Sequence, residues 1–261
     1  DNGIYKMWYS GMNNSAVSYI YYATSLDGIT WEKNQQPVLT PGTYGNWDSY
    51  SVGHPKVIKI GSIYYMYYRG ESDTYCNWDI GLATSSDGIQ WTKNPNKIIA
   101  GTTGMQYQLK PNDIIFLNGK YYLFFSGSSN FRLHQEGEIF LATSTDGINF
   151  TKHPTPVLKS TLSWEGTALE MASIIFDNNK FKAVYIDFNT NSKVGYAESY
   201  DGLIWNKKSE PIFDYTIYKE VWSRQIAQLC FRKINNDYRM YTGSPIYNVQ
   251  YYKIGCFTLI K

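Results

Sequence analysis

A carboxylate among apolar neighbours is costly unless it is paired or used. Glu170 is such a residue, in Leu169-Glu170-Met171-Ala172-Ser173-Ile174-Ile175-Phe176. Glu165 stands at the approach to the same run, in Ser163-Trp164-Glu165-Gly166, and Asp113 ends Lys110-Pro111-Asn112-Asp113. Paired carboxyls can do acid–base work, one protonating a leaving group while the other activates water or attacks. The plain alternative for Glu170 is an ion pair with Lys110 or Arg224. His54 could accept a proton or hold an ion, or it could be a hydrogen-bonded strand histidine. Arg69, Lys110, Arg132 and Arg224 offer cations, and guanidinium forks match carboxylates. Equally, these cations could neutralise Glu71, Glu136, Glu165 and Glu170. Asp48, in Asn46-Trp47-Asp48-Ser49, is a loop acid like Glu165, and a Trp–acid pair can also cap the start of a strand. No phosphate loop, Ser-His-Asp set or metal-ligand spacing stands out.

Such residues need a frame, and a repeat supplies one. Four segments align: Tyr22-Ala-Thr-Ser-Leu-Asp27-Gly28-Ile-Thr-Trp31, Leu82-Ala-Thr-Ser-Ser-Asp87-Gly88-Ile-Gln-Trp91, Leu141-Ala-Thr-Ser-Thr-Asp146-Gly147-Ile-Asn-Phe150 and Tyr196-Ala-Glu-Ser-Tyr-Asp201-Gly202-Leu-Ile-Trp205. The aspartates recur at spacings of 60, 59 and 55 residues, the period of a repeat architecture. Asp-Gly between aromatic, β-branched runs predicts a tight hairpin with positive φ. A second strand pair precedes each hairpin, as in Pro55–Ile60 with Ile63–Tyr68. Two hairpins make four antiparallel strands, which is a propeller blade.

The expectation is an all-β, five-bladed β-propeller of four-stranded antiparallel blades, one domain over 1–261. The blades fall at about 1–40, 47–100, 106–160, 165–213 and 219–261. The first lacks its inner strand and the last stops after its third. Inner strands should line a central channel. The repeated aspartates then serve as turn residues, and Trp31, Trp91, Phe150 and Trp205 as packing between blades. The longer loops on the other face are where function is expected. Aligned on their apolar runs, Gly53, Lys110 and Gln225 occupy the place of Glu170.

Composition narrows the classes. A net charge of +2 with 18% charged residues gives no footprint for nucleic acid or an anionic membrane. Three cysteines make no disulfide framework; Cys230 and Cys256 are expected to be buried thiols, and Cys76 lies in a loop. No apolar run is long enough to span a bilayer, and no signal peptide is visible. The chain opens at Asp1 without Met, as expected of a processed chain or a part of a longer protein. Compartment stays open, leaning to the extracytoplasmic side.

The Ala-Thr-Ser-x-Asp-Gly-x-x-Trp hairpin with its preceding strand pair resembles the five-bladed propeller glycosidases, glycoside hydrolase family 43 and the related families 32, 62, 68, 117 and 130. A sialidase Asp-box has one more residue between Asp and Gly and fits poorly. The resemblance implies a carbohydrate partner, an oligo- or polysaccharide, held in a funnel and cleaved by carboxylates. It implies no required cofactor and leaves room for a structural calcium or other ion in the channel. The family 43 pattern puts an Asp base on the inner strand of blade 1, an Asp before Pro on blade 3 and an acidic Glu on blade 4. Glu170 matches that Glu, and Glu165 is the alternative acid. Lys110-Pro111 shifts the blade 3 Asp out of register, with Asp113 nearby, and the blade 1 base has no strand to stand on. Trp47, Asp48, His54, Arg69, Glu71, Lys110, Arg132, Glu136, Arg224 and Gln225 are the expected sugar contacts. The alternative is a glycan-binding or degenerate propeller that does not cleave.

Overall fold

The computed structural model describes residues 1–72, 78–101, 107–128, 137–187, 193–214, 228–245 and 252–259. Among them the chain is strand and turn, with one short 3-10 turn at Ser163–Glu165. Five antiparallel sheets follow the repeat, one per copy, and these are the blades of a five-bladed β-propeller. The first holds β1 (Tyr5–Met12), β2 (Ser18–Ser25) and β3 (Glu32–Lys33), with no inner strand among the described residues. The second holds β4 (Ser51–Ile60), β5 (Ile63–Glu71), β6 (Trp78–Ser85) and β7 (Thr92–Lys93). The third holds β8 (Tyr107–Leu117), β9 (Lys120–Ser128), β10 (Gly137–Ser144) and β11 (Thr151–Lys152). The fourth holds β12 (Leu169–Asp177), β13 (Lys180–Asp187), β14 (Lys193–Ser199) and β15 (Asn206–Lys207), and β16 (Phe213–Asp214) returns to pair with β14. The fifth holds β17 (Gln228–Ile234), β18 (Asp237–Pro245) and β19 (Tyr252–Leu259).

The Asp-Gly segments differ from the tight hairpin that their sequence predicts. Strand β2 ends at Ser25 and β3 begins at Glu32, so the connection is wider than two residues. Only the glycines take positive φ, for example +75° at Gly28. The aspartate works through its side chain instead. Asp27 Oδ1 accepts the N–H groups of Ile29 and Thr30, both at 2.7 Å, and the Ser25 hydroxyl at 2.8 Å. The same set recurs at Asp87, Asp146 and Asp201. This is the local side-chain turn that Asp makes readily. Tight turns with two successive positive φ values stand instead between first and second strands, at Asn118-Gly119 and Asn178-Asn179.

Contacts cluster into two compact units, Asp1–Tyr121 with Ser144–Phe150, and Tyr122–Thr143 with Thr151–Lys261. The first is packed around Ile20, Leu39, Val52, Met66, Tyr68 and Ala83, with Trp8, Trp47 and Trp91 against them. Trp8 donates its indole N–H to the Gly88 carbonyl at 2.8 Å and meets Trp91 edge-on, so the repeated Trp packs between blades as expected. The second unit centres on Val184, Ile186, Val194, Leu229, Phe231 and Met240. Cys256 is exposed and Cys230 half-buried, which corrects their reading as buried thiols. Both are register partners of Tyr241, in a sheet of only three strands among the described residues.

Candidate functional site

The two Trp–acid pairs form one device, built twice. Asp48 is buried and accepts the Tyr68 hydroxyl at 3.0 Å and the Lys93 ammonium at 2.6 Å. Glu165, at 0% exposure, accepts the Tyr185 hydroxyl and the Lys207 ammonium, both at 2.7 Å. Its other oxygen takes the N–H groups of Thr161 and Leu162 at 2.7 and 2.8 Å. Trp47 stacks on Tyr68 and Trp164 on Tyr185. Lys93 and Lys207 sit at equivalent register, opposite Ala83 and Ala197. Burial alone would raise the Glu165 carboxyl, but Lys207, two backbone N–H groups and Tyr185 hold it below the ordinary glutamate range. On Lys207, burial outweighs the pull of Glu165 and lowers the ammonium. Both oxygens of Glu165 are engaged, so its geometry is that of a clamp at a strand entrance.

The inner strands place the other acids. Gly53, Lys110 and Glu170 each stand seven residues ahead of the last residue of β4, β8 and β12, which are Ile60, Leu117 and Asp177. The β12 register slips between Leu169 and Met171, so Glu170 is the extra residue of a β-bulge. The side chain of Glu170 is outside the described set. Asp113 is buried at 3% exposure, with Oδ1 at 3.2 Å from the N–H of Ile114.

A cationic corner forms within the first unit. Strand β4 bulges between Gly53 and Lys56, and His54 there has φ of +50°, rare for a residue with a Cβ. Its N–H is held by Ser10 Oγ at 2.8 Å. A Cβ on Gly53 would lie 3.2 Å from the hydroxyls of Ser10 and Ser18 and 3.5 Å from the Arg69 guanidinium. Arg69 lies opposite Gly53 on β5, and Trp78 on β6 lies opposite Glu71. The Arg69 guanidinium is 4.5 Å from the centroid of the Trp78 ring and the Lys110 ammonium is 5.0 Å from it. Glu71 approaches Arg69 at 3.8 Å, an ion-pair distance beyond hydrogen bonding. Arg69 Nε and Trp78 Nε1 are buried and have no hydrogen-bond acceptor among the described residues. A buried donor left unmatched costs about 1–3 kcal/mol, which is the demand an incoming acceptor would relieve. Loss of water, then Arg69, Lys110 and Lys56, holds the His54 imidazole well below its usual pKa and therefore neutral.

Of the expected contacts, this corner joins His54, Arg69, Glu71 and Lys110. Asp48 and Trp47 belong to the clamp. Arg132, Glu136, Arg224, Gln225 and Cys76 lie outside the described residues. Sequence reasoning missed Trp78 and the clamp lysines. The lysines had a signal, since Lys33, Lys93, Lys152 and Lys207 each follow a repeated Asp by six residues. Trp78 is not repeated and had none. Among the described residues no three His, Cys, Asp or Glu converge to hold a metal ion, and no helix is long and apolar enough to cross a membrane.

This fold is shared with the five-bladed propeller glycosidases. A thermostable family-43 glycoside hydrolase superposes with a TM-score of 0.76 at 17% identity, covering 100% of this chain and 87% of its own. A beta-1,2-mannobiose phosphorylase from Listeria innocua superposes with a TM-score of 0.71 at 19% identity, covering 88% of this chain and 64% of its own. Residues 4–170 match the family described as beta-1,4-mannooligosaccharide phosphorylase, glycoside hydrolase family 130. The chain belongs to that family. A 1,2-beta-oligomannan phosphorylase of Thermoanaerobacter sp. (strain X514) is 28% identical over 220 residues, which are 74% of this chain and 69% of that protein.

Proposed function

We propose that this chain cleaves a glycosidic bond of an oligosaccharide, with Glu170 as proton donor, and that the Arg69–Trp78–Lys110 corner is a sugar-binding surface. Membership of family 130 over residues 4–170 carries this reading. The bond from the anomeric carbon to the leaving oxygen breaks, Glu170 protonates that oxygen, and an incoming oxygen bonds to the anomeric carbon. Two acceptors fit the balance. Water must lose a proton to a base as it attacks, whereas a phosphate dianion needs no such base. Phosphorolysis accords with the name of the Thermoanaerobacter relative.

The test is to incubate the chain with β-linked mannooligosaccharides, with and without inorganic phosphate. Phosphate-dependent release of a sugar 1-phosphate supports the reading, and release without phosphate assigns hydrolysis instead. Glu170→Gln should lower the rate by roughly 10²–10⁴-fold, the usual contribution of a general acid. A second reading is glycan binding without cleavage. The cation Lys110, standing where the family 43 pattern has an acid, and the burial of Asp113 favour it. Saturable binding with no product, in wild type and Glu170→Gln alike, would select it.

A further inference from the structure

We infer that the sugar bound at the Arg69–Trp78–Lys110 corner carries a carboxylate, as a uronic acid residue does. The inference rests on the reading of this corner as a sugar-binding surface and names the class of sugar. Three observations carry it. First, Lys110 brings a cation to the Trp78 ring from β8, its ammonium 5.0 Å from the ring centroid. Second, the Arg69 guanidinium sits over the Trp78 ring, 4.5 Å from its centroid, and Arg69 Nε and the indole N–H of Trp78 are buried without a hydrogen-bond partner among the described residues. Third, the carboxylate that approaches Arg69, Glu71, stays at 3.8 Å, too far to satisfy those donors. A hydroxyl would answer a donor by a neutral hydrogen bond, whereas a planar carboxylate would answer it by a charge-assisted one, about twice as strong, beside the two cations Arg69 and Lys110.

A matched pair of ligands isolates the carboxylate. Mannuronate oligosaccharides differ from mannooligosaccharides of the same linkage only in the oxidation of C6. Calorimetric titration of the full chain should show the mannuronate binding at least about tenfold more tightly, the effect of one charge-assisted hydrogen bond. Lys110→Met should remove most of that preference, lowering the affinity for the mannuronate far more than that for the neutral sugar. Lys110→Asp should reverse it. Trp78→Phe keeps an aromatic ring and removes the N–H, and should weaken the acidic sugar several-fold; the melting temperature of each variant checks folding. Equal binding of both sugars, with Lys110→Met silent, would overturn the inference and leave the sugar-binding surface standing. Binding of neither sugar would overturn both. Inorganic phosphate is the other source of an oxyanion. Saturable phosphate binding that is lost in Lys110→Met, with no preference for the uronate, would assign the corner to phosphate and overturn the inference.

Discussion

The role of the Glu165 side chain is set by what lies within about 3 Å of it. Glu165 is locked by Lys207, Tyr185 and two backbone N–H groups. Removing one partner of a buried pair leaves the other charge stranded, so Glu165→Gln and Lys207→Met should each cost about 3–5 kcal/mol. The double variant should cost less than the two together, as a urea-melt cycle would show. The pH dependence has a definite sign. Glu165 is depressed in the folded state, so the unfolded chain binds its proton first. His54 is also depressed, so the unfolded chain again binds the extra proton. Both make stability rise with pH: the His54 share is lost on acidification from about 6.5 downward and the Glu165 share below about 4.3. Melting temperature should therefore fall between pH 7 and pH 4, and His54→Gln should flatten the upper part of that fall.

At the scale of elements, glycines show how tightly the blades are set. A Cβ on Gly81 would come within 2.3 Å of Trp47, and one on Gly70 within 2.1 Å, so this ring lies flat on two strands that must be bare there. Gly81→Ala should cost about 1–3 kcal/mol through overpacking. Gly61 has φ of +60° and nothing within 4 Å of its Cβ, so Gly61→Ala meets backbone strain alone, about 1–2 kcal/mol. Urea midpoints of the two variants compare packing with strain. The repeat was legible because each copy spells the same turn chemistry. The kind of turn was misread, because Asp-Gly also suits a wider connection in which the aspartate accepts backbone N–H groups. Nothing in a dipeptide separates the two; the neighbouring serines, Ser25 and Ser85, complete the wider form.

For the whole molecule, blade number and strand order were readable, since a repeat with a period near 60 residues states its own architecture. The candidate site was only partly so. His54, Arg69 and Lys110 could be named from charge and place, yet Trp78 joins them through cross-strand pairing with Glu71, a register that no local motif announces. The clamp at Glu165 looked like a catalytic acid for a related reason. Its partners Tyr185 and Lys207 come from 20 and 42 residues further along the chain.

The central claim is that the Arg69–Trp78–Lys110 corner binds sugar. The most direct measurement is an NMR titration of the tryptophan indole N–H resonances, of which the chain has eight, with the resonance of Trp78 assigned by its loss in Trp78→Phe. A mannuronate oligosaccharide should shift the Trp78 resonance saturably and far more than those of the clamp residues Trp47 and Trp164. Saturable binding that leaves the Trp78 resonance in place, with affinity unchanged in Trp78→Phe, would contradict it.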